Sequence, residues 1–285
     1  MRHGFLLIDK SVGPTSHDIV GQARRVLHEK SIGHLGTLDP AASGLMVLAV
    51  GKKALKVVEL FVGLDKEYEA AVKLGAVSST YDRDGIIDES TVPMGWTVPE
   101  EAIVRRTIAD RFTGTISQVP PAHSAVKIDG RRAYDMARKG QEVIIAPREV
   151  TILECSVLNY AYPQLDLRIR SSSGTYIRSL AHDLGQVLHC GGYLAALRRT
   201  KVGAWTVADA VQSDAVTWSD VFPLKEVLAG LPRLDVSDDE YQNMQHGKDL
   251  PYTIDALTIA WHAGLPVAVL EHGKQEGTVH ARKVF

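Results

Sequence analysis

The stretch that most constrains this chain is "LMVLAVG", Leu45 to Gly51. An unbroken apolar run of strand length has no polar face to offer water, so it fits a strand buried on both faces. Such a strand needs structure packed above and below it. The 285 residues are enough to supply both layers, as one large domain or one large domain with a small one. "GFLLIDK" reads as a short buried strand that starts the fold. "KEYEAAVKLG" alternates: Tyr68, Ala70, Val72 and Leu74 share one face, and Glu67, Glu69, Ala71 and Lys73 the other. "QLDLRIR" repeats that alternation with Leu165, Leu167 and Ile169.

Helical spacing appears in three places. Ser16 is a candidate N-cap, followed by Ile19, Val20, Ala23, Val26 and Leu27. "PEEAIVRRTIADRFTG" predicts a helix with Pro99 at its first position, closing near Gly114. After a small-residue turn at Ser171 to Gly174, a third helix buries Leu180, Leu184 and Leu188, with Tyr176 and Arg178 at the strand–helix junction. The elements lack the regular rhythm of a parallel βαβ sheet. The expected class is α+β, a mixed sheet flanked by helices. A boundary is expected around "LAGLPRLDVSDDEY". The segment beyond it has strands of its own, "PVAVLEHG" and "TVHARKVF", and is small enough that it should pack on the main body.

Charge and cysteine content narrow the function classes. The net charge of −2 argues against a uniformly basic nucleic-acid binder, although a local basic face can hide within it. The most basic stretch runs from Lys127 to Arg148 and holds Arg131, Arg132, Arg138 and Lys139. It reads as a solvated loop and helix, or as an arm that tracks phosphates. Two cysteines, Cys155 and Cys190, make no disulfide framework and no zinc pair. The N-terminal apolar run is too short for a signal peptide, and no run approaches the roughly 18 residues of a membrane span. The expected setting is the cytoplasm. P-loop, dinucleotide, HExxH and GxSxG motifs are missing.

The chemistry concentrates in "GHLGTLDP". Pro40 pushes Asp39 toward an extended backbone, and Gly33 and Gly36 permit unusual dihedrals before it. Alone, Asp39 reads as a turn residue. The sharper alternative is a carboxylate held in one place ahead of a buried strand, as a nucleophile requires. Arg178 is a candidate partner that would favour its ionised form. Tyr68 is a core aromatic or a stacking platform, and His34 by itself is a surface loop residue.

"GHLGTLDPAASGLMVLAVG" resembles the catalytic motif of the TruB family of bacterial tRNA pseudouridine-55 synthases. The resemblance continues in order through "GFLLIDKSVGPTSHD", "DKEYEAAVKLG", "TYDRDG", "QVPPAHSAVKIDGRRAYDMARKG", "SSGTYIRSLAHDLG" and "LRRTKVG", across residues 1–210. It departs at Leu35, where the family commonly has Thr, and at Ala41 and Ser43, which bears on local packing. The resemblance implies a mainly antiparallel pseudouridine synthase fold over residues 1–228, with an RNA-gripping insertion at about 121–150. Residues 229–285 would form a PUA-like RNA-binding module.

The same resemblance implies isomerisation of the uridine at position 55, in the T loop of tRNA, without metal or cofactor. The catalytic set falls on Asp39, Tyr68 and Arg178, and the substrate-binding set on His34, Tyr176, Asp82, Lys127, Arg131, Arg132 and Leu197. The target base would be flipped out of its stack. Tyr68 would stack on it, or serve as the base for C5. His34 would fill the vacated space. Asp39 would act at the ribose, attacking C1′ or taking the C2′ proton, and the sequence leaves both open. The basic arm and first helix would face the RNA, with acidic residues such as Asp235, Asp238, Asp239 and Glu240 away from it. A guide-RNA-dependent synthase is the nearest rival. Catalytic motifs beginning almost at residue 1, and the lack of a basic tail, favour the stand-alone bacterial form, and a monomer is the default expectation. A non-catalytic RNA-folding protein and a glycoside hydrolase are the remaining alternatives, the latter needing a second carboxylate at a defined separation.

Overall fold

The structure is a computed structural model that describes residues 3–124, 126–128 and 130–285. Met1 and Arg2 of the opening segment, and Ala125 and Asp129 of the expected insertion, lie outside the described residues. The strands are β1 (Gly4–Lys10), β2 (Ile32–His34), β3 (Ala42–Val50), β4 (Lys66–Leu74), β5 (Val77–Ser78), β6 (Ile87–Asp88), β7 (Gly114–Gln118), β8 (Lys127–Ile128), β9 (Arg131–Arg132) and β10 (Arg148–Ala161). They continue with β11 (Gln164–Ser171), β12 (Gly192–Val202), β13 (Trp205–Thr206), β14 (Val211–Gln212), β15 (Val221–Pro223), β16 (Arg233–Asp235), β17 (Thr258–His262), β18 (Leu265–His272) and β19 (Val279–Val284). The helices are α1 (Ser16–Leu27), α2 (Lys52–Val57), α3 (Glu59–Val62), α4 (Glu101–Arg111), α5 (Ala133–Ala137), α6 (Ile177–Val187), α7 (Leu224–Val227) and α8 (Asp238–Gln245).

The main sheet runs β14-β1-β3-β12-β4-β11-β10-β7. It is mixed as expected: β1–β14 and β3–β12 are parallel, and the other neighbours along this path are antiparallel. Both faces of β1 and β3 are buried. Leu6, Ile8, Met46, Leu48 and Val50 pack with Ile19, Val20, Ala23 and Leu27 of α1. Phe5, Leu7, Leu45, Val47 and Ala49 pack with Ala54, Val57 and Phe61 on the other side. That second layer also includes Ile259, Trp261 and Val269 from the C-terminal sheet β16-β17-β18-β19. The apolar run at Leu45 thus has its two layers. A third core lies where α4 and α6 cover the face of β4 that carries Tyr68, Ala70, Val72 and Leu74.

Three local expectations are corrected. The N-cap of α1 is Thr15, in a capping box with Asp18, because Ser16 points inward to the loop before β3. Val26 is exposed despite its helical spacing; the buried face of α1 is Ser16, Ile19, Val20, Ala23 and Leu27. Pro99 precedes Glu100, the N-cap of α4, so it lies outside the helix.

One row of residues crosses the centre of the sheet: Gly44 on β3, Arg199 on β12 and Tyr68 on β4. Gly44 has φ of +103°, and a Cβ there would lie 2.2 Å from the Arg199 carbonyl oxygen. The β3–β12 pairing therefore requires glycine at this position. Gly44→Ala is expected to lower unfolding free energy by about 3 kcal/mol in urea melts, since strain and overlap combine.

Candidate active site

Asp39 lies in the connection between β2 and β3, above the middle of the sheet. Its backbone does form a turn, its carbonyl accepting from Ala42 N at 3.0 Å. The start of α1 pins this loop from one side. Ser16 Oγ donates to the Leu38 carbonyl at 2.8 Å and accepts from Leu38 N at 2.9 Å. Gly13 N donates to the Pro40 carbonyl at 2.8 Å. The residues flanking Asp39 are thus tied to a helix N-terminus while its carboxylate, 47% exposed, faces outward.

Arg178 meets that carboxylate. It stands in the first turn of α6, where the helix dipole disfavours a cation, and its side chain is only 9% exposed. Two acids compensate. Arg178 Nη2 lies 3.2 Å from Asp39 Oδ2, and Nη1 lies 3.2 Å from Asp82 Oδ2. The guanidinium also donates to the His123 carbonyl at 3.0 Å and the Thr80 carbonyl at 3.3 Å. Asp82 is held in turn, Oδ1 accepting from Thr80 Oγ1 at 2.6 Å and Asp84 N at 3.1 Å. Asp39, Asp82, Arg178 and Leu197 line one small cleft with Ala41, Ala42, Arg83, Leu194, Ala195 and Ala196. Four of the residues expected to act together therefore converge.

A second cation, found only in the tertiary structure, supports the floor. Arg199 is 2% exposed. Its guanidinium donates to the carbonyls of Leu45 at 2.7 Å, Gly36 at 3.2 Å and Thr37 at 3.4 Å, and to the Tyr68 hydroxyl. It therefore joins the Asp39 loop to Tyr68. Burial pushes the Tyr68 phenol up, and Arg199 opposes that shift. Lys10 is fully buried, its Nζ donating to the carbonyls of Ala42 at 2.7 Å and Ser11 at 2.9 Å. Burial pulls the Lys10 ammonium down, and the negative charge of Asp39 partly restores it. The period-2 pattern held a signal for Lys10, which shares the face of Leu6 and Ile8.

The other expected site residues are more dispersed. His34 is half-buried at the end of β2, in edge contact with His17 at 6.3 Å between ring centres. Its imidazole is pulled down by burial first, then by His17 and Arg199, and its Nδ1 accepts from Gly36 N at 3.3 Å. Tyr176 is the N-cap of α6, its backbone clamped by Gln118 at 2.8 and 3.0 Å and its ring under the Arg148 guanidinium at 4.8 Å. Lys127, Arg131 and Arg132 lie on the exposed hairpin β8–β9, between β7 and β10, and are not drawn to Asp39. Arg131 donates to Gln141 at 3.0 Å, and Arg132 lies 5.9 Å from the Tyr134 ring centre. Among the described residues no His, Cys, Asp and Glu group could hold a metal ion.

Residues 24–177 match the TruB family pseudouridylate synthase N-terminal domain, and residues 178–226 the tRNA pseudouridylate synthase B C-terminal domain. The chain is 46% identical over 226 residues to a tRNA pseudouridine synthase B of Opitutus terrae, covering 79% of this chain and 90% of that protein. It is 40% identical over 281 residues to one from a Mycobacterium species, covering 95% and 93%. Among solved structures, the fold matches a Cbf5-Nop10-Gar1 complex with TM-score 0.72 at 23% identity, covering 99% of this chain and 84% of that one. It also matches an H/ACA RNP bound to a substrate RNA containing 2′-deoxyuridine, with TM-score 0.70 at 24% identity, 99% of this chain and 84% of that one.

Because Arg199 bonds both the Asp39 loop and Tyr68, its loss should impair geometry as well as stability. Arg199→Lys keeps the charge and loses the planar fork. It is expected to slow the single-turnover reaction by about 100-fold, as a small misplacement of reacting groups does.

Proposed function

This chain belongs to the TruB family of pseudouridylate synthases and forms pseudouridine in tRNA; we propose that its target is position 55, in the T loop, and that the base is flipped out to be reached. The observation that carries this reading is the ion-pair chain Asp39–Arg178–Asp82, at 3.2 Å in each link, at the mouth of a cleft above the middle of the sheet. A stacked base in a folded loop is closed to attack, so the enzyme must extrude it.

The reaction breaks the N1–C1′ glycosidic bond, turns the base and joins C5 to C1′, and the C5 proton leaves. In this reading the Asp39 carboxylate acts at the ribose. Attack at C1′ gives a covalent ester that the C5 carbon displaces. Removal of the C2′ proton gives a glycal to which C5 adds, with the proton returned to C2′. Either route needs a fixed carboxylate, and Arg178 fixes it by pairing with one oxygen. Tyr68 provides a flat apolar ring that tolerates rotation of the base. Its phenol is pushed up by burial, so at neutral pH it carries its own proton. That favours stacking over C5 proton abstraction. Leu197 lines the cleft, and in this reading Tyr176 would line its approach and His34 would fill the space that the base vacates.

The exposed hairpin with Lys127, Arg131 and Arg132 is assigned to the RNA backbone, as the tip of an insertion at about 121–150. Residues 229–285 are assigned to a separate RNA-binding module docked on the 1–228 body, of PUA type. The relatives are named tRNA pseudouridine synthases, which supports action on tRNA without guide RNA or accessory protein; the assembly assigned here is a monomer. No helix among the described residues is long and apolar enough to cross a membrane. Work on tRNA places the protein in the cytoplasm in this reading.

The test is tritium release from a bare tRNA transcript labelled at uridine C5. Wild type should release about one equivalent, from the single flipped target. Asp39→Ala should release none, and a variant that releases at the wild-type rate would sink the assignment. Replacing Lys127, Arg131 and Arg132 together by Gln should flatten the dependence of log K on log salt by about one for each phosphate no longer neutralised. An unchanged salt slope would remove the hairpin from the RNA interface.

A further inference from the structure

Arg178 reaches Asp39 from one side, and its other side depends on the loop between β5 and β6. That loop carries Thr80, Tyr81 and Asp82 in a row. Thr80 and Asp82 hold the guanidinium itself. Tyr81, between them, points elsewhere. Its ring stacks on His182 with centres 3.9 Å apart and planes 9° from parallel. His182 is four residues beyond Arg178 on α6, so both lie on one face of the helix, a turn apart. One three-residue segment therefore grips α6 at two successive turns.

The backbone shows that this grip is specific. Tyr81 has φ of +65°, a conformation uncommon outside glycine and unfavourable for a bulky residue. It is maintained by the surroundings: Tyr81 N donates to the Ser78 carbonyl at 3.0 Å, and Leu194 N to the Tyr81 carbonyl at 3.0 Å. Arg83 N donates to the Leu194 carbonyl at 3.1 Å. The left-handed turn sends the Tyr81 ring toward α6 one turn past Arg178 while Asp82 is aimed back at Arg178. His182 contributes a surface rather than a hydrogen bond here, because its Nδ1 is buried with no partner among the described residues.

We propose that Tyr81 and His182 are positioning residues for the isomerisation: their stacked rings hold the Asp82 loop against α6 and thereby fix the rotamer in which Arg178 meets Asp39. This rests on the reading that Asp39 and Arg178 perform the chemistry. The rings are not among the residues that line the cleft with Asp39, so the stack acts on the site through Asp82 and Arg178. Losing the stack lets Asp82 swing, and Arg178 then spends part of its time away from Asp39. The rate falls while the basic hairpin assigned to the RNA backbone is unchanged.

The experiment measures single-turnover tritium release from a T-arm stem-loop, its dissociation constant, and thermal melting, for wild type and variants. Tyr81→Ala and His182→Ala should each slow release by about tenfold, consistent with loosened positioning, with the dissociation constant within about twofold of wild type. Tyr81→Gly relieves the backbone and removes the ring. It should melt no lower than Tyr81→Ala yet remain as slow. His182→Phe restores a stacking face and should recover the wild-type rate. In an Asp82→Asn background, Tyr81→Ala should add no further loss, because both act on one chain. A wild-type rate for Tyr81→Gly, or a full tenfold further loss in the Asp82→Asn background, overturns the proposal. Asp39→Ala runs alongside. If it stays active the catalytic reading fails, whereas an inactive Asp39→Ala beside a fully active Tyr81→Gly rejects the stack alone.

Discussion

Arg178 is a buried guanidinium met by two carboxylates, and it governs the site for that reason. A cation in the first turn of a helix and almost out of water is costly unless it is paired. Asp82 answers it from the loop after β5, and Asp39 from the loop before β3. Each acid is brought from a different part of the chain. The one requirement of neutralising Arg178 therefore draws three segments together and leaves a carboxylate, held on one oxygen, at the mouth of a cleft.

The rest of the molecule supports that convergence. The sheet places β3, β12 and β4 side by side, and the row Gly44–Arg199–Tyr68 crosses all three. Arg199 gathers the carbonyls of Gly36, Thr37 and Leu45 beneath the Asp39 loop. Ser16 saturates both backbone groups of Leu38 from the helix side. The loop is thus held from below by a buried cation and from the side by a hydroxyl. Such redundancy suits the proposed reaction, in which one carboxylate would keep its position while a base turns in front of it. The acidic residues Asp238, Asp239 and Glu240 have a local structural use as well: they occupy the first turn of α8, where the dipole favours negative charge.

Much of the frame was legible from periodicity alone. The apolar run at Leu45 demanded two covering layers, and α1 on one side with α2, α3 and the C-terminal sheet on the other provide them. The alternation of Tyr68 with Glu67 and Glu69 put the aromatic ring inside. Local chemistry was harder to read. Ser16 has the composition of an N-cap, yet Thr15 takes that role, because residue type alone cannot show which hydroxyl faces the core. Val26 fits helical spacing and is exposed, since the buried stripe of α1 is narrower than the pattern suggests.

By itself the sequence determined β1, β3, β4, β11, β18 and β19, the helices α1, α4 and α6, and the identity of Asp39 as the carboxylate in a constrained loop, while the long strands β10 and β12 carried no comparable pattern. Ordered motifs along the chain marked the family. What only the tertiary structure decided is which distant residues are partners. Asp39 and Arg178 lie 139 positions apart in the chain and 3.2 Å apart in space. The partners of Arg199 and the Tyr81–His182 stack were equally hidden, whereas the buried face of Lys10 was marked by its period-2 spacing with Leu6 and Ile8. Periodicity reports only which face of an element is apolar, a property of neighbours in sequence. A buried charge or a stacked ring is defined by what meets it from another element, and that is set by the crossing of the sheet and the packing of α6 upon it.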